Sequence, residues 1–477
     1  MRNRNVDAKA PADRKPWRPL VLLCVAQFMV ILDATVVNVA LPSIGRELGF
    51  ASKDLQWVVT AYVLMTGGLM LLGGRMADLF GRRAVFVTGL LVFTGASLAS
   101  GLAPTSGALI AARGAQGLGA AMLSPGALSI ITATYTDGQR TTALSAWGAI
   151  GGAGAPAGLL LGGMLTTWLS WEWVFFINVP VGIVTALLAL RIVPSTWARA
   201  GSLRDLDIPG AAAVVSGLAV IVYAVEGASS RGWGSSRTLG LLALAAGLLL
   251  AFAAIERRTH RPLIPAAIWR VRSLVSSSTV MLGVTGILVG TFFLNSLLLQ
   301  NVLQASALQT GLAFLPLCLV VGCAAHVAPR LLTRFGARAL VVAGLALIAC
   351  GDLLLTGVTA DASYVPDLLP GFLLVGFGLG LTFVPLSVAA MSEIPGERTG
   401  AASGLLTTAH EIGGAFGVSV FSAVAFGSGA VGGAAFVNGY GEGALIGAGS
   451  AIAMAVVAIL AIPPLRSATL ARAAMHA

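Results

Sequence analysis

Asp33 is the one carboxylate in an apolar run, "WRPLVLLCVAQFMVILDATVVNVAL", from Trp17 to Leu41. The run is long enough to cross a bilayer, which takes roughly 20 residues. A carboxylate at that depth costs roughly 2.5–3.5 kcal/mol on insertion scales, and such a group is by default functional. The chemistry it offers is binding and release of a proton or another cation. A second charge lies in "ARGAQGLGAAMLSP", where Arg113, Gln116, Gly117 and Ala120 fall at i, i+3, i+4 and i+7, one face of a helix. At 1.5 Å per residue, Asp33 stands roughly 22 Å up its span and Arg113 roughly two turns below the outer surface, so both belong to the outer half of the membrane. A guanidinium there would oppose burial in deciding when Asp33 holds a proton.

Other residues qualify less directly. Glu411 falls near the midplane of a late span, as a second proton or cation site or as a carboxylate neutralised by the neighbouring His410. Asp352 lies about two-thirds of the way up its span, a cation contact or a point where water enters. Asn38 offers a polar contact, and Tyr62 and Trp147 either line a cavity or mark the interface. The expected proton-coupling set is therefore Asp33, Arg113 and Glu411. The expected cavity wall is Asp33, Asn38, Gln116, Asp352, Glu411, Trp147 and Tyr62.

The elements that must carry these residues follow from composition. The chain has 477 residues, 57% of them hydrophobic and 10% charged, against roughly 25% charged in soluble domains. This is an all-α polytopic membrane protein. Fourteen apolar runs of spanning length lie near 17–41, 54–74, 84–103, 107–131, 141–164, 171–191, 208–227, 239–255, 273–298, 308–329, 338–358, 366–390, 401–425 and 443–463. If all fourteen span, 24 of the 29 Lys and Arg fall on the side of the two termini, which is then the cytoplasmic side.

An internal echo sets the organisation. "GGRMADLFGRRAV" follows the second run and "APRLLTRFGARAL" the tenth, each with Gly before the closing Arg (Gly81, Arg82; Gly336, Arg338). The expectation is a six-helix half over residues 1–200, two inserted helices over 201–265 and a second six-helix half over 266–477. Repeated halves around a midplane site are the plan of secondary transporters.

Several classes are excluded. The net charge of +10 is scattered through short loops rather than clustered, so a nucleic-acid partner is not expected. Lys9, Lys15 and Lys53 are the only lysines and none follows glycine, so no phosphate-binding G-x-x-x-x-G-K-[ST] loop exists. Cys24, Cys318, Cys323 and Cys350 sit in apolar runs as packing residues. His410-Glu411 lacks the second His of a zinc motif, so no metal site and no catalytic triad are expected. The basic start reads as the lead-in to a retained first helix, not as a cleaved leader.

The loop carrying Gly74, Asp78, Gly81, Arg82 and Arg83 resembles the loop signature of the major facilitator superfamily, and Arg113-x-x-Gln116-Gly117 resembles its fourth-helix motif. The fifth run, with Gly154, Pro156, Gly158, Gly162 and Gly163, resembles in position the helix-5 motif of antiporters, although its proline lies upstream and Leu159 follows Gly158. "LDATVVNVALPSI", "WEWVFFINVPVGI", "LLLQNVLQASALQTGLAFLP" and "TGAASGLLTTAHEIGGAFG" look like the fourteen-helix drug:proton antiporters of that superfamily. Glu172 and His410-Glu411 stand where Arg and Arg-Gln are usual in that family. The resemblance implies a major facilitator fold in the plasma membrane. It implies export of small amphiphilic toxic compounds or antibiotics by alternating access; several buried acids against one buried Arg point to cations among them, and a monomer is expected. Protons are the coupling ion, with no other cofactor. Asp78 with Arg82 and Arg83 would latch the cytoplasmic side. Proton-driven uptake and translocation of a lipid or envelope component are the alternatives.

Overall fold

A computed structural model describes residues 17–51, 54–135, 137–193, 206–259, 267–394, 399–426 and 433–464. The described residues are helical throughout, without a strand. In chain order the helices are α1 (Trp17–Glu47), α2 (Trp57–Phe80), α3 (Arg82–Gly101), α4 (Ser106–Thr134), α5 (Asp137–Trp168), the single turn α6 (Trp173–Phe176), α7 (Asn178–Ile192), α8 (Ile208–Arg231), α9 (Ser236–Arg258), α10 (Arg272–Leu297), α11 (Ala307–Phe335), α12 (Ala337–Leu355), α13 (Leu369–Met391), α14 (Thr399–Ala425) and α15 (Gly433–Ala461). Among the described residues twelve helices are long and apolar enough to cross a membrane. Their outward faces carry exposed leucines such as Leu187, Leu250, Leu319 and Leu460. That pattern suits a lipid surround, in which backbone groups must be satisfied within the helix and apolar side chains need no cover.

Local signals place the helix ends. Thr105 accepts a hydrogen bond from Ala108 N at the start of α4. Ser306 and Gln309 form a reciprocal capping box at the start of α11. The α2–α3 and α11–α12 junctions are each a single glycine, Gly81 at φ 95° and Gly336 at φ 81°, a conformation that penalises any Cβ.

Two sets of helices pack by the same scheme. α1 lies on α5, α2 and α3 lie on α4, and α3 lies on α7. Likewise α10 lies on α14, α11 and α12 lie on α13, and α12 lies on α15. The sets meet along α2 with α14 and along α5 with α11. α8 covers the α2–α14 seam, and α9 packs chiefly on α8. The last helix begins at Gly433, ten residues before the apolar run that announced it. Its first turns read as polar because of Asn438, Gly439 and Glu442, but Phe436 and Tyr440 are buried there and their packing extends the helix.

Glycine makes the closest approaches possible. A Cβ on Gly417 of α14 would collide with the carbonyl of Gly286 on α10, and neither backbone is free to yield. Gly417→Val is expected to lower stability by about 1–3 kcal/mol, the usual cost of overpacking. Thermal unfolding of the detergent-solubilised protein measures it. An unchanged midpoint would show that α10 and α14 can separate without penalty.

Candidate substrate cavity and buried acid network

A cavity of about 1690 Å³ lies between the two sets of helices. Asn38 of α1, Tyr62 of α2, Trp147 of α5 and Glu411 of α14 all line it. At one end its wall reaches Gly74, Arg75 and Asp78, beside the α2–α3 junction. The opposite end is tied by hydrogen bonds between the sets. Ser296 Oγ donates to Asn38 O at 2.7 Å, and Gln300 Nε2 donates to Val39 O at 2.9 Å. Leu308 N donates to Thr167 Oγ1 at 3.1 Å.

Asp33, Gln116 and Asp352, expected on the cavity wall, lie off it. The reason for the first two is Tyr62. Its ring faces the cavity on one side and stacks on the Arg113 guanidinium on the other, 4.2 Å from the ring centre. Behind that ring a closed network assembles. Arg113 Nη1 donates to Asp33 Oδ2 at 2.6 Å and to Gln116 Oε1 at 2.7 Å. Gln116 Nε2 and Asn178 Nδ2 both donate to Asp33 Oδ1 at 2.8 Å. Arg113 Nε donates to Val58 O at 3.0 Å. Asp33 is 0% and Arg113 1% exposed. The i, i+3 spacing of Arg113 and Gln116 puts both on the α4 face that meets α1, so the separation of 80 residues along the chain closes into one ion pair.

Asn178 is a member of this network that sequence reasoning passed over. It opens α7, and its amide also donates to Ser97 Oγ at 3.1 Å, while Ser97 Oγ donates to Phe175 O at 2.9 Å. The available signal was a polar residue inside the apolar stretch "INVPVGI". Asn178→Ala removes a donor from a buried carboxylate, and a hydrogen bond to a charged group contributes about 1.5–3 kcal/mol. Thermal unfolding of the detergent-solubilised Asn178→Ala protein is expected at a lower midpoint, corresponding to a loss of about 1.5–3 kcal/mol. An unchanged midpoint would make this amide a bystander.

Glu411 stands apart from that network. Its Cβ faces Gly67 of α2, where an added Cβ would come within 2.6 Å, so the glycine opens room for the carboxylate at the α2–α14 seam. The expected alternative, neutralisation by His410, does not occur. Successive helix residues point about 100° apart, and His410 turns to Thr285 Oγ1, 2.9 Å from its Nδ1, and to the Phe383 ring. Asp352 is buried on α12 against Gly447 of α15.

The charged residues of the α2–α3 loop lie at one end of the cavity, where Asp78 lines it. Arg82 Nη2 lies 4.0 Å from Asp78 Oδ1, with Asp78 67% exposed, and exposed i, i+4 pairs contribute only about 0.3–0.5 kcal/mol. Arg83 donates to Leu190 O and Val193 O at 3.4 and 3.2 Å. It therefore satisfies the carbonyl end of α7, within its own set of helices, where complementary charge is favourable. In helix α5, Gly154, Gly158 and Gly162 form a stripe against Ile31, Thr35 and Val36 of α1. Gly163 turns to Ala307 and Leu308 of α11, and Pro156 lines the cavity.

Apolar helices grouped around a largely apolar cavity with a few polar side chains are the architecture of a membrane transporter rather than an enzyme. The model of the Major Facilitator Superfamily matches residues 23–418, and the chain belongs to that superfamily. It is 42% identical to the puromycin resistance protein of Streptomyces alboniger over 87% of this chain and 83% of that protein. It is 40% identical to the cephamycin export protein of Amycolatopsis lactamdurans, covering 92% of this chain and 91% of that one. Among solved structures it shares its fold with the POT family transporter PepTSo, at a TM-score of 0.68 and 15% identity over 98% of this chain and 100% of that one. Those two relatives are named for antibiotic resistance and export, and this chain is a multi-pass membrane protein of the same superfamily.

Proposed function

We propose that this transporter exports small amphiphilic antibiotics across the plasma membrane in exchange for protons, by alternating access. The observation that carries the reading is the cavity, bounded by both sets of helices and tied shut at one end by the Asn38–Ser296 and Val39–Gln300 bonds. With the termini cytoplasmic, as the Lys and Arg distribution favours, the conformation is open to the cytoplasm. α5 and α14, of 32 and 27 residues, bring the spans to fourteen. The repeated packing scheme supports two six-helix halves, residues 1–200 and 266–477, with α8 and α9 as the insert over 201–265. The working unit is a monomer.

In this reading Asp33 takes up a proton from outside and gives it up inside. Protonation removes the charge that holds Arg113, and Arg113 carries that change to Tyr62 on the cavity wall. Glu411 is the acid that meets substrate, and an unpaired carboxylate in an apolar wall favours cationic amphiphiles. Closure toward the cytoplasm would bring the Asp78, Arg82 and Arg83 loop against the second half.

Reconstituted in liposomes with an imposed pH gradient, the protein is expected to move puromycin opposite to proton flow. Movement in the direction of proton flow would establish uptake. Scrambling of labelled lipid without puromycin flux would establish a lipid translocator.

A further inference from the structure

The network around Asp33 uses three helices of the first half, α1, α3 and α7, through Asp33, Ser97 and Asn178. The same three helices of the second half, α10, α12 and α15, also meet in a buried polar corner. Tyr440 Oη of α15 donates to Asn295 Oδ1 of α10 at 2.8 Å, and Asp352 of α12 packs against Gly447, about two turns further along α15. Asp352 and Ser97 hold equivalent places, each 16 residues after the positive-φ glycine that opens its helix. In the second half the acid has moved from the first helix of the corner to the second.

The surroundings of the two acids are opposite. Asp33 is met by two amide donors and a guanidinium, whereas Asp352 Oδ2 is buried with no hydrogen-bond partner. Gly447 makes room for it, since a Cβ there would come within 2.5 Å of Oδ2. The elements packed on α12 bring no cation to it. α13 has no ionisable side chain, and α15 has Tyr440 and the exposed Glu442. Tyr364 and Asp367, on the turn before α13, bond Ala313 O and Ser363 N. On α11 the ionisable groups are Cys318, Cys323, His326, Arg330 and Arg334, the last two exposed at the far end. On α10, Arg272 bonds Leu460 O, and on α14 His410 bonds Thr285 while Glu411 lines the cavity. On α12 itself there are Arg338, at its start, and exposed Cys350. A carboxylate taken from water without donor or cation is costly enough that such a group neutralises instead.

We propose that Asp352 is a second proton-binding site, loaded in this conformation and emptied as α14 moves. The link is Phe421. It sits on α14 ten residues beyond Glu411 and its ring packs beside Gly290, Gly443 and Gly447. The ring thus closes the Asp352 pocket from the helix that carries the cavity acid. A shift of α14 at the substrate site displaces that ring and opens Asp352 to water. Each half then has one titrating acid, and one turnover exchanges two protons.

Infrared difference spectra of the full-length protein in liposomes, between acidic and alkaline pH, read this without any transport. The expected spectrum contains a protonated-carboxyl C=O band that D352N loses and D33N keeps. Adding puromycin is expected to change the same band. If D352N does not assemble, D352E is expected to restore a displaced band. In flux measurements D352N is expected to exchange about twofold fewer protons per puromycin, as one of two sites is gone. A spectrum that is the same in wild type and D352N, or in D352E an absent band, overturns the proposal. So does an Asp352 band untouched by both pH and puromycin. Because the spectra need no flux, absence of export would defeat the functional reading and leave this one decided separately.

Discussion

Under the proposed proton-coupled export, Asp33→Asn is expected to leave a folded protein that no longer couples puromycin movement to a pH gradient. The substitution keeps the shape and one acceptor oxygen but removes the charge and turns the other oxygen into a donor. That donor meets Arg113, Gln116 or Asn178, all of which already donate to this position. Asn178 reorients at least cost, because its other partner, Ser97 Oγ, is a hydroxyl that can donate as well as accept, whereas turning Gln116 would set its NH2 against Arg113. Arg113 keeps Val58 O and the rings of Tyr62 and Phe175, so its charge is not stranded. The loss is therefore one of energisation. Concentrative efflux under a pH gradient should fall to the level of empty liposomes, while exchange of labelled for unlabelled puromycin at equal pH continues. Retained pH-driven accumulation in Asp33→Asn would remove this acid from the coupling mechanism.

Arg113→Ala is expected to be the more damaging change to the fold. It strands a carboxylate that is 0% exposed, with two neutral amides left as donors. Breaking a buried ion pair by removing one partner costs about 3–5 kcal/mol, because the remaining charge is uncompensated. It also empties the space under Tyr62, the ring that separates network from cavity. Low yield and an early unfolding transition are the expected readouts. The double variant Asp33→Asn with Arg113→Ala should recover part of the stability, since the remaining neutral amide needs no counter-charge, and should still lack coupling. Such a double-mutant cycle isolates the pair term. If Arg113→Ala unfolds at the wild-type temperature, the pair contributes little to assembly and serves function alone.

The class of the molecule and most of its helices were open to sequence reading, because the bilayer imposes one-dimensional rules. Span length, the cost of a buried charge and the side preference of Lys and Arg each act on a segment in isolation. Gly81 and Gly336 announced their junctions because positive φ is a local demand. The meeting of Asp33 and Arg113 was likewise legible, from depth alone.

Which side of a ring a residue lies on is a different kind of fact. Asp33 and Gln116 belong behind the cavity because Tyr62, fifty-one residues before Arg113, covers the guanidinium. Asn178 joins them because α7 returns to α1 and α3. Arg83 caps α7 and His410 turns to Thr285 because those partners come from other helices. Depth in the membrane is set by position along one segment and can be counted. Azimuth around the bundle is set by which helices pack together, and at a spacing of about 100° per residue only the assembled contacts select it.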